Sequence, residues 1–372
     1  MPNAATEGLD SQRAGKTTTV ELCELAAAGL VNMFYAERQM FCDIYSRTAA
    51  GMVRQGISHR YTMMSLLGLH RYQLSGRRSP IPVQAIFDGL TRDTDWIEGV
   101  GDLGLLLWTC GEVAPDRLPD LYRKIRAHDA LLRFNDARQG CTMEVAWYLT
   151  GLATACIIGC TDLAAISEQL VASCRILKEN CGTTGVYGHL RRSGSPAGLI
   201  RRRIGSFADQ VYPTIAFARL ARALNDEDAR RMALRTAETM CRLQEPLGEW
   251  CWHYDSATGK VVNRYPVYSV HQHAMGPMML FAAAETNSRD FNAEIYKGLD
   301  WISGNNELKL NLIEPSLGLV WRSVYLTRSQ AYGDAARRFV NSGRGPSKVR
   351  PRICYECRPY ELGWLLYAFA GK

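Results

Sequence analysis

The stretch GVGDLGLLLWTCG runs from Gly99 to Gly111. It opens on a single charge, Asp102, and continues with apolar or small side chains at almost every helical phase. A helix without a polar stripe is buried on several sides. Five further stretches repeat the pattern of a polar start followed by an aliphatic and small-residue run. They are SHRYTMMSLLGLHRY (Ser58 to Tyr72), CTMEVAWYLTGLATAC (Cys141 to Cys156), FADQVYPTIAFARLARAL (Phe207 to Leu224), YSVHQHAMGPMMLFAAAE (Tyr268 to Glu285) and RPYELGWLLYAFAG (Arg358 to Gly371).

Amphipathic, more charged helices are expected between them. Their ranges are Val20 to Phe34, Pro82 to Leu90, Pro115 to Ala127, Asp162 to Glu179, Asp226 to Leu243 and Asp290 to Ser303. Asn225–Asp226 and Ser288–Arg289–Asp290 supply helix-start signals. Six buried helices alternating with six amphipathic ones make six helical hairpins. Closing the hairpins into a ring buries the apolar helices inside and leaves the others outside. The expected fold is therefore all-α, an (α/α)6 toroid. One toroid domain is expected over residues 19–372, behind a polar N-terminal arm of residues 1–18. Strand-like alternation is weak outside WCWHYDSATGKVVNRYPVY (Trp250 to Tyr268), which reads as a hairpin.

In such a ring the inner helices run parallel, so their N-termini meet at one end. The polar starts then converge there: His59 and Arg60, Asp102, Glu144, Asp209 and Gln210, His271 with His273, and Arg358 with Glu361. Three long connections enter inner helices, at Lys178 to Ser206, Gln244 to Tyr268, and Gly304 to Tyr355. Long ordered loops in compact domains are often functional. The second of them carries Trp250, Trp252, His253, Tyr254, Tyr265 and Tyr268, and reads as a wall of a binding site.

Gln244, Gly248 and Trp250 resemble the Q-x-x-x-G-x-W repeat of triterpene cyclases. In that family the Gln ties helix ends and the Trp stacks on the turn, so the resemblance implies a toroid and structural roles for these residues. The alternation of helices also resembles the six-hairpin glycosidases and related sugar epimerases and lyases. Those enzymes place carboxylates, histidines and aromatic platforms at the N-terminal ends of the inner helices.

The candidate catalytic residues are Asp102, Glu144, Asp209, His271 and Glu361. Sugar cleavage needs two carboxyl groups whose proton affinities are split by their surroundings. An acid in the first turn of a helix also caps free N–H groups and offsets the helix dipole. Histidine serves as acid or base near neutral pH. The candidate substrate-binding residues are Arg60, Tyr212, Trp252, His253, Tyr265, His273 and Arg358. Aromatic faces suit sugar C–H faces, and equally polyprenyl chains. His271 and His273 point about 200° apart on a regular helix and do not share one metal. Cys354 and Cys357, with Cys251 and His253, form a weak zinc signal. No metal and no cofactor are expected.

The 372 residues are 47 % hydrophobic, enough for a large core. No apolar run reaches the roughly 18 residues of a membrane span. The start lacks the order of a signal peptide, and twelve cysteines without one point to free thiols and the cytoplasm. The net charge of +7 gathers in His189 to Arg203 and Arg338 to Arg352. Neither stretch carries a nucleic-acid motif. They are expected as solvated loops, or as a basic rim drawing in an anionic small molecule. A carbohydrate-active enzyme follows: a hydrolase, lyase or epimerase working by acid/base chemistry on a small-molecule or oligosaccharide substrate. Two alternatives stand beside it. The Gln244–Trp250 match and DTDW (Asp93 to Trp96) suggest a terpene-cyclase-like or prenyl-binding enzyme. The third is a non-catalytic binding protein on a toroid scaffold. Two carboxylates facing one cavity roughly 5–9 Å apart would favour glycosidase chemistry.

Overall fold

The computed structural model describes residues 17–126, 141–159, 163–190, 202–327 and 351–372. Most of both basic stretches, and the N-terminal arm up to residue 16, lie outside the described residues. Thr18, the last residue of that arm, caps the first helix. Its hydroxyl accepts from the Glu21 backbone N–H, and the Glu21 carboxylate reaches back to the Thr18 N–H.

Twelve α-helices alternate among the described residues. The outer set is α1 (Thr19–Asn32), α3 (Val83–Arg92), α5 (Leu118–Arg126), α7 (Leu163–Asn180), α9 (Glu227–Arg242) and α11 (Asn292–Ile302). The inner set is α2 (His59–Leu74), α4 (Val100–Val113), α6 (Thr142–Ile158), α8 (Ala208–Leu224), α10 (Gly276–Asn287) and α12 (Pro359–Phe369). Helix α10 is preceded by one π-helical turn, His271–Met275. The inner helices close a ring: α2 packs on α4, α4 on α6, α6 on α8, α8 on α10, α10 on α12, and α12 back on α2. The outer helices cover it, with α1 on α12, α3 on α2, α5 on α4, α7 on α6, α9 on α8 and α11 on α10. This is the (α/α)6 toroid, and the inner helices are the ones whose sequences lack a polar stripe.

Small residues set the tightest crossings. A Cβ on Gly68 of α2 would lie 2.0 Å from the Gly363 carbonyl oxygen of α12. One on Gly104 of α4 would lie 2.3 Å from the Trp147 and Tyr148 backbone of α6. Large side chains fill the remaining space; Trp108, Trp250, Trp301 and Trp364 are all fully buried.

Among the described residues, three three-stranded antiparallel sheets sit in the loops that enter the inner helices, so they ring the same end. Strands β1 (Ile44–Thr48) and β2 (Gly51–Gln55) form a hairpin before α2, and β9 (Glu356–Cys357) pairs with β1. Strands β3 (Ile204–Ser206), β4 (His253–Asp255) and β5 (Lys260–Asn263) form the second sheet. Its β4–β5 hairpin falls inside the segment read as one in the sequence; β1–β2 had no such signal. Strands β6 (Val267–Tyr268), β7 (Ser323–Tyr325) and β8 (Arg352–Cys354) form the third. Among the described residues no helix is long and apolar enough to cross a membrane, and the described cysteines are all free thiols.

Candidate functional site

A chain of contacts joins the N-terminal ends of the inner helices. Arg60 of α2 reaches α4 and α6: its Nε lies 2.5 Å from Asp102 Oδ1 and its Nη2 lies 2.9 Å from Glu144 Oε1. Trp147 of α6 meets Tyr212 of α8 edge to face at 5.1 Å. Phe207, just ahead of α8, lies 4.5 Å from the His271 ring. Arg322, from the loop before β7, stands over the Tyr268 ring at 5.0 Å and pairs with Glu361 of α12 at 2.5 Å. Arg358 donates to the Tyr61 hydroxyl of α2 at 2.8 Å, which completes the circle.

These ends enclose a cavity of about 330 Å³. Its cationic lining is Arg60 and Arg322. Its aromatic lining is Tyr61, Trp147, Tyr212, Trp252, Tyr268 and Tyr360, with His271 among them. Met64, Met143, Met275, Ser206 and Ala208 complete the wall. None of these described lining side chains is a carboxylate. The carboxylates expected to face the cavity stand one layer back. Asp102 is buried, accepts the Glu98 and Gly99 backbone N–H groups and clamps Arg60. Glu144 clamps the same guanidinium. Glu361 is buried, accepts the Arg358 backbone N–H and holds Arg322. Asp209 is buried and accepts from the Ser206 backbone and hydroxyl. Asp102 and Glu361 thus cap their helices, and with Glu144 they fix the two arginines that line the cavity.

Of the other expected residues, Arg60, Tyr212, Trp252 and His271 line the cavity. His253 stacks on Trp252 at 4.1 Å and lies near Asn263, so it supports the wall without forming it. Tyr265 lies outside the lining, with Glu307 near its hydroxyl. His273 is buried away from the cavity with neither ring nitrogen bonded. Arg358 stands behind Tyr61. Sequence reasoning missed Arg322, which carries no motif. It also missed Tyr61, Met64, Met143 and Trp147, which lie within about one turn of the polar starts and could have been found by that spacing.

The Gln244–Trp250 loop behaves as its resemblance implies. Gln244 donates to the Gly248 and Glu294 carbonyls, both at 2.9 Å, and ties the loop to α11. Gly248 has φ +105°, and the Lys297 carbonyl oxygen would lie 2.1 Å from an added Cβ. Trp250 is fully buried, stacks on Phe207 and donates to the Met240 carbonyl. The acids of DTDW are exposed in the α3–α4 loop, where Asp93 caps the Asp95 backbone; they lie outside the cavity.

Electrostatics separate the remaining groups. Burial pushes His271 down to about 3, so its ring is neutral. Its Nδ1 lies 3.4 Å from the Trp250 carbonyl oxygen. A carbonyl only accepts, so Nδ1 carries the proton and Nε2 keeps the lone pair. Burial raises the Tyr268 hydroxyl, which stays protonated. Beside the cavity, Cys141, His189 and Asp209 form the one group of three metal-type ligands found among the described residues. Hydrogen bonds to Asp209 and Cys141 raise His189 to about 10. Cys354 and Cys357 gather no third ligand there.

No protein-family model matches the sequence, and no curated protein matches it. Solved structures resemble it along nearly its whole length. A sugar epimerase from a ruminal bacterium matches with TM-score 0.63 and 10 % identity, over 95 % of this chain and 98 % of that one. A glycosyl hydrolase of family 88 from Bacteroides vulgatus matches with TM-score 0.59 and 11 % identity, over 95 % and 98 %. An unsaturated glucuronyl hydrolase from Streptococcus agalactiae matches with TM-score 0.59 and 12 % identity, over 96 % and 93 %. At these identities the likeness establishes the fold.

Proposed function

We propose that the protein is a carbohydrate-active enzyme that takes an anionic sugar, of the uronate class, into the mouth of the ring. The observation that carries this reading is the lining itself: two arginines fixed by buried acids, set among six aromatic rings, around a cavity of about 330 Å³. Arginine pairs with a carboxylate through two parallel N–H donors. Aromatic faces accept the C–H face of a pyranose. The sugar enzymes among the structural neighbours support the substrate class, and the absence of paired described carboxylates in the lining favours proton transfer at carbon over two-carboxylate hydrolysis. In that reading Arg60 and Arg322 neutralise the uronate carboxylate. His271 Nε2 accepts the proton from the adjacent carbon, and a tyrosine hydroxyl, that of Tyr268, whose ring lies 5.4 Å from the His271 ring, donates to the departing or re-forming side. Elimination and epimerisation share this first step.

A thermal-shift screen tests the reading, since a ligand that binds only the folded state raises the melting temperature. Uronate oligosaccharides are expected to raise it, and neutral sugars of the same size to leave it unchanged. Elimination then adds a new ultraviolet absorbance from the unsaturated uronate, whereas epimerisation leaves the spectrum unchanged and alters the sugar configuration. A shift with prenyl diphosphates and none with any uronate would overturn the proposal in favour of the terpenoid reading. The cytoplasmic location belongs to the same proposal and rests on the free thiols.

A further inference from the structure

Three chain segments converge at the wall between α6 and α8. Cys141 is the N-cap residue of α6. His189 lies on the loop after Asn180, and Asp209 is in the first turn of α8. The Cys141 Sγ lies 3.8 Å from both ring nitrogens of His189. His189 Nδ1 lies 3.0 Å from Asp209 Oδ2. One ligand atom from each residue lies within 4.8 Å of the others. Tetrahedral zinc bonds of about 2.0–2.3 Å set ligand-to-ligand edges of about 3.3–3.8 Å. The cluster is therefore close to the spacing a zinc ion requires.

The surroundings hold these groups in place. Thr142 N–H donates to the His189 carbonyl at 2.9 Å, and the Thr142 hydroxyl donates to Gly188 at 2.5 Å. These bonds lock the histidine loop onto the start of α6. The Ser206 N–H and hydroxyl both donate to Asp209 Oδ2, at 2.8 and 2.9 Å. Hydrogen bonds from a second layer orient ligands in this way in metal sites. The other oxygen, Asp209 Oδ1, is fully buried and has no hydrogen-bond partner. Burying a carboxylate oxygen without a donor is costly. A cation at that oxygen removes the cost. A thiolate, an imidazole and a carboxylate form a donor set suited to zinc.

We propose that Cys141, His189 and Asp209 form a zinc site of open coordination at the wall of the ring cavity. Three protein ligands leave a fourth position for water or for an oxygen of a cavity-bound molecule. Met143, Ser206 and Ala208, neighbours of the ligands in sequence, line that cavity. The site stands on its own geometry and does not depend on the uronate reading.

The test uses the full chain, stripped with a chelator and titrated in separate samples with Zn²⁺ by calorimetry and with Co²⁺ by absorption spectroscopy. One equivalent of each metal is expected to bind, with a near-ultraviolet thiolate-to-cobalt charge-transfer band. Cys141→Ser should abolish that band. Cys141→Ser and His189→Gln should each weaken Zn²⁺ binding by more than about 100-fold. Circular dichroism of the metal-free variants, matched to the metal-free parent, shows whether the loss is local. No saturable binding by the parent chain overturns the proposal. Binding unchanged in either variant also overturns it. Fast alkylation of Cys141 in a chain that binds no zinc would do the same, and would point to a thiol activated by His189.

Discussion

His271 and Arg322 show how one layer of burial divides labour among single residues. His271 is buried, neutral and held by the Trp250 carbonyl, so the role proposed for it rests on a lone pair, and its fold contribution on one long hydrogen bond and on ring contacts with Phe207 and Tyr268. His271→Gln keeps a donor for that carbonyl. The expected outcome is an unchanged melting temperature and a turnover of the uronate substrate reduced about 10²- to 10⁴-fold, the usual worth of a general base. Arg322 combines both roles. It faces the cavity, yet its guanidinium neutralises Glu361, whose side chain is fully buried. Removing one partner of a buried pair leaves an uncompensated charge. Arg322→Gln should therefore cost about 3–5 kcal/mol of stability in urea unfolding, as well as uronate binding. A variant that unfolds like the parent would show that the Glu361 charge is compensated elsewhere.

At the scale of elements, the loop from Gln244 to Tyr268 separates support from cavity lining within three residues. Trp250 is fully buried against Phe207, whereas Trp252 lines the cavity. Trp250→Ala should cost about 3–5 kcal/mol, the range for truncating a buried aromatic. Trp252→Ala should weaken ligand binding with a much smaller change in stability. Calorimetric melting and ligand titration of both variants check the split; equal losses of stability would contradict it. This loop also marks what the sequence could reveal. The all-round apolar helices, their polar starts and the Gln244–Trp250 turn are local patterns, and each corresponds to a described element. The partners of those polar starts are not local. Asp102 meets Arg60 from 42 residues away and Glu361 meets Arg322 from 39. First-turn acids consequently read as groups facing the cavity, although Asp102, Glu144 and Glu361 bind arginines that face it instead. The Cys141–His189–Asp209 group was hidden for the same reason, because its members lie on three separate segments.

The whole ring is tied at its opposite end by a second charged network. Arg219 of α8 pairs with Glu112 of α4 and donates to Thr154 of α6 at 2.7 Å and to the Tyr367 hydroxyl of α12 at 2.5 Å. Arg71 of α2 lies 3.8 Å from Glu112 and donates to the Tyr367 carbonyl at 2.9 Å. Five of the six inner helices thus join one network centred on the Arg219–Glu112 pair. Burial alone would push Glu112 up, but Arg219 and Arg71 more than reverse this and hold it at about 2, below its ordinary 4.5. A carboxyl depressed in the folded state takes up its proton first in the unfolded chain. Its stabilisation is therefore complete above about pH 4.5 and lost as the pH falls towards about 2, a change of about 3 kcal/mol at most. Glu112→Gln should lower stability near neutral pH by about 3–5 kcal/mol, because Arg219 is left buried without its partner. It should also flatten the acid limb of the stability curve over that window. Urea unfolding of the parent and variant from about pH 7 to about pH 3 measures both effects. If the variant loses stability with acid as steeply as the parent, other carboxylates govern the acid limb and Glu112 does not tie the ring.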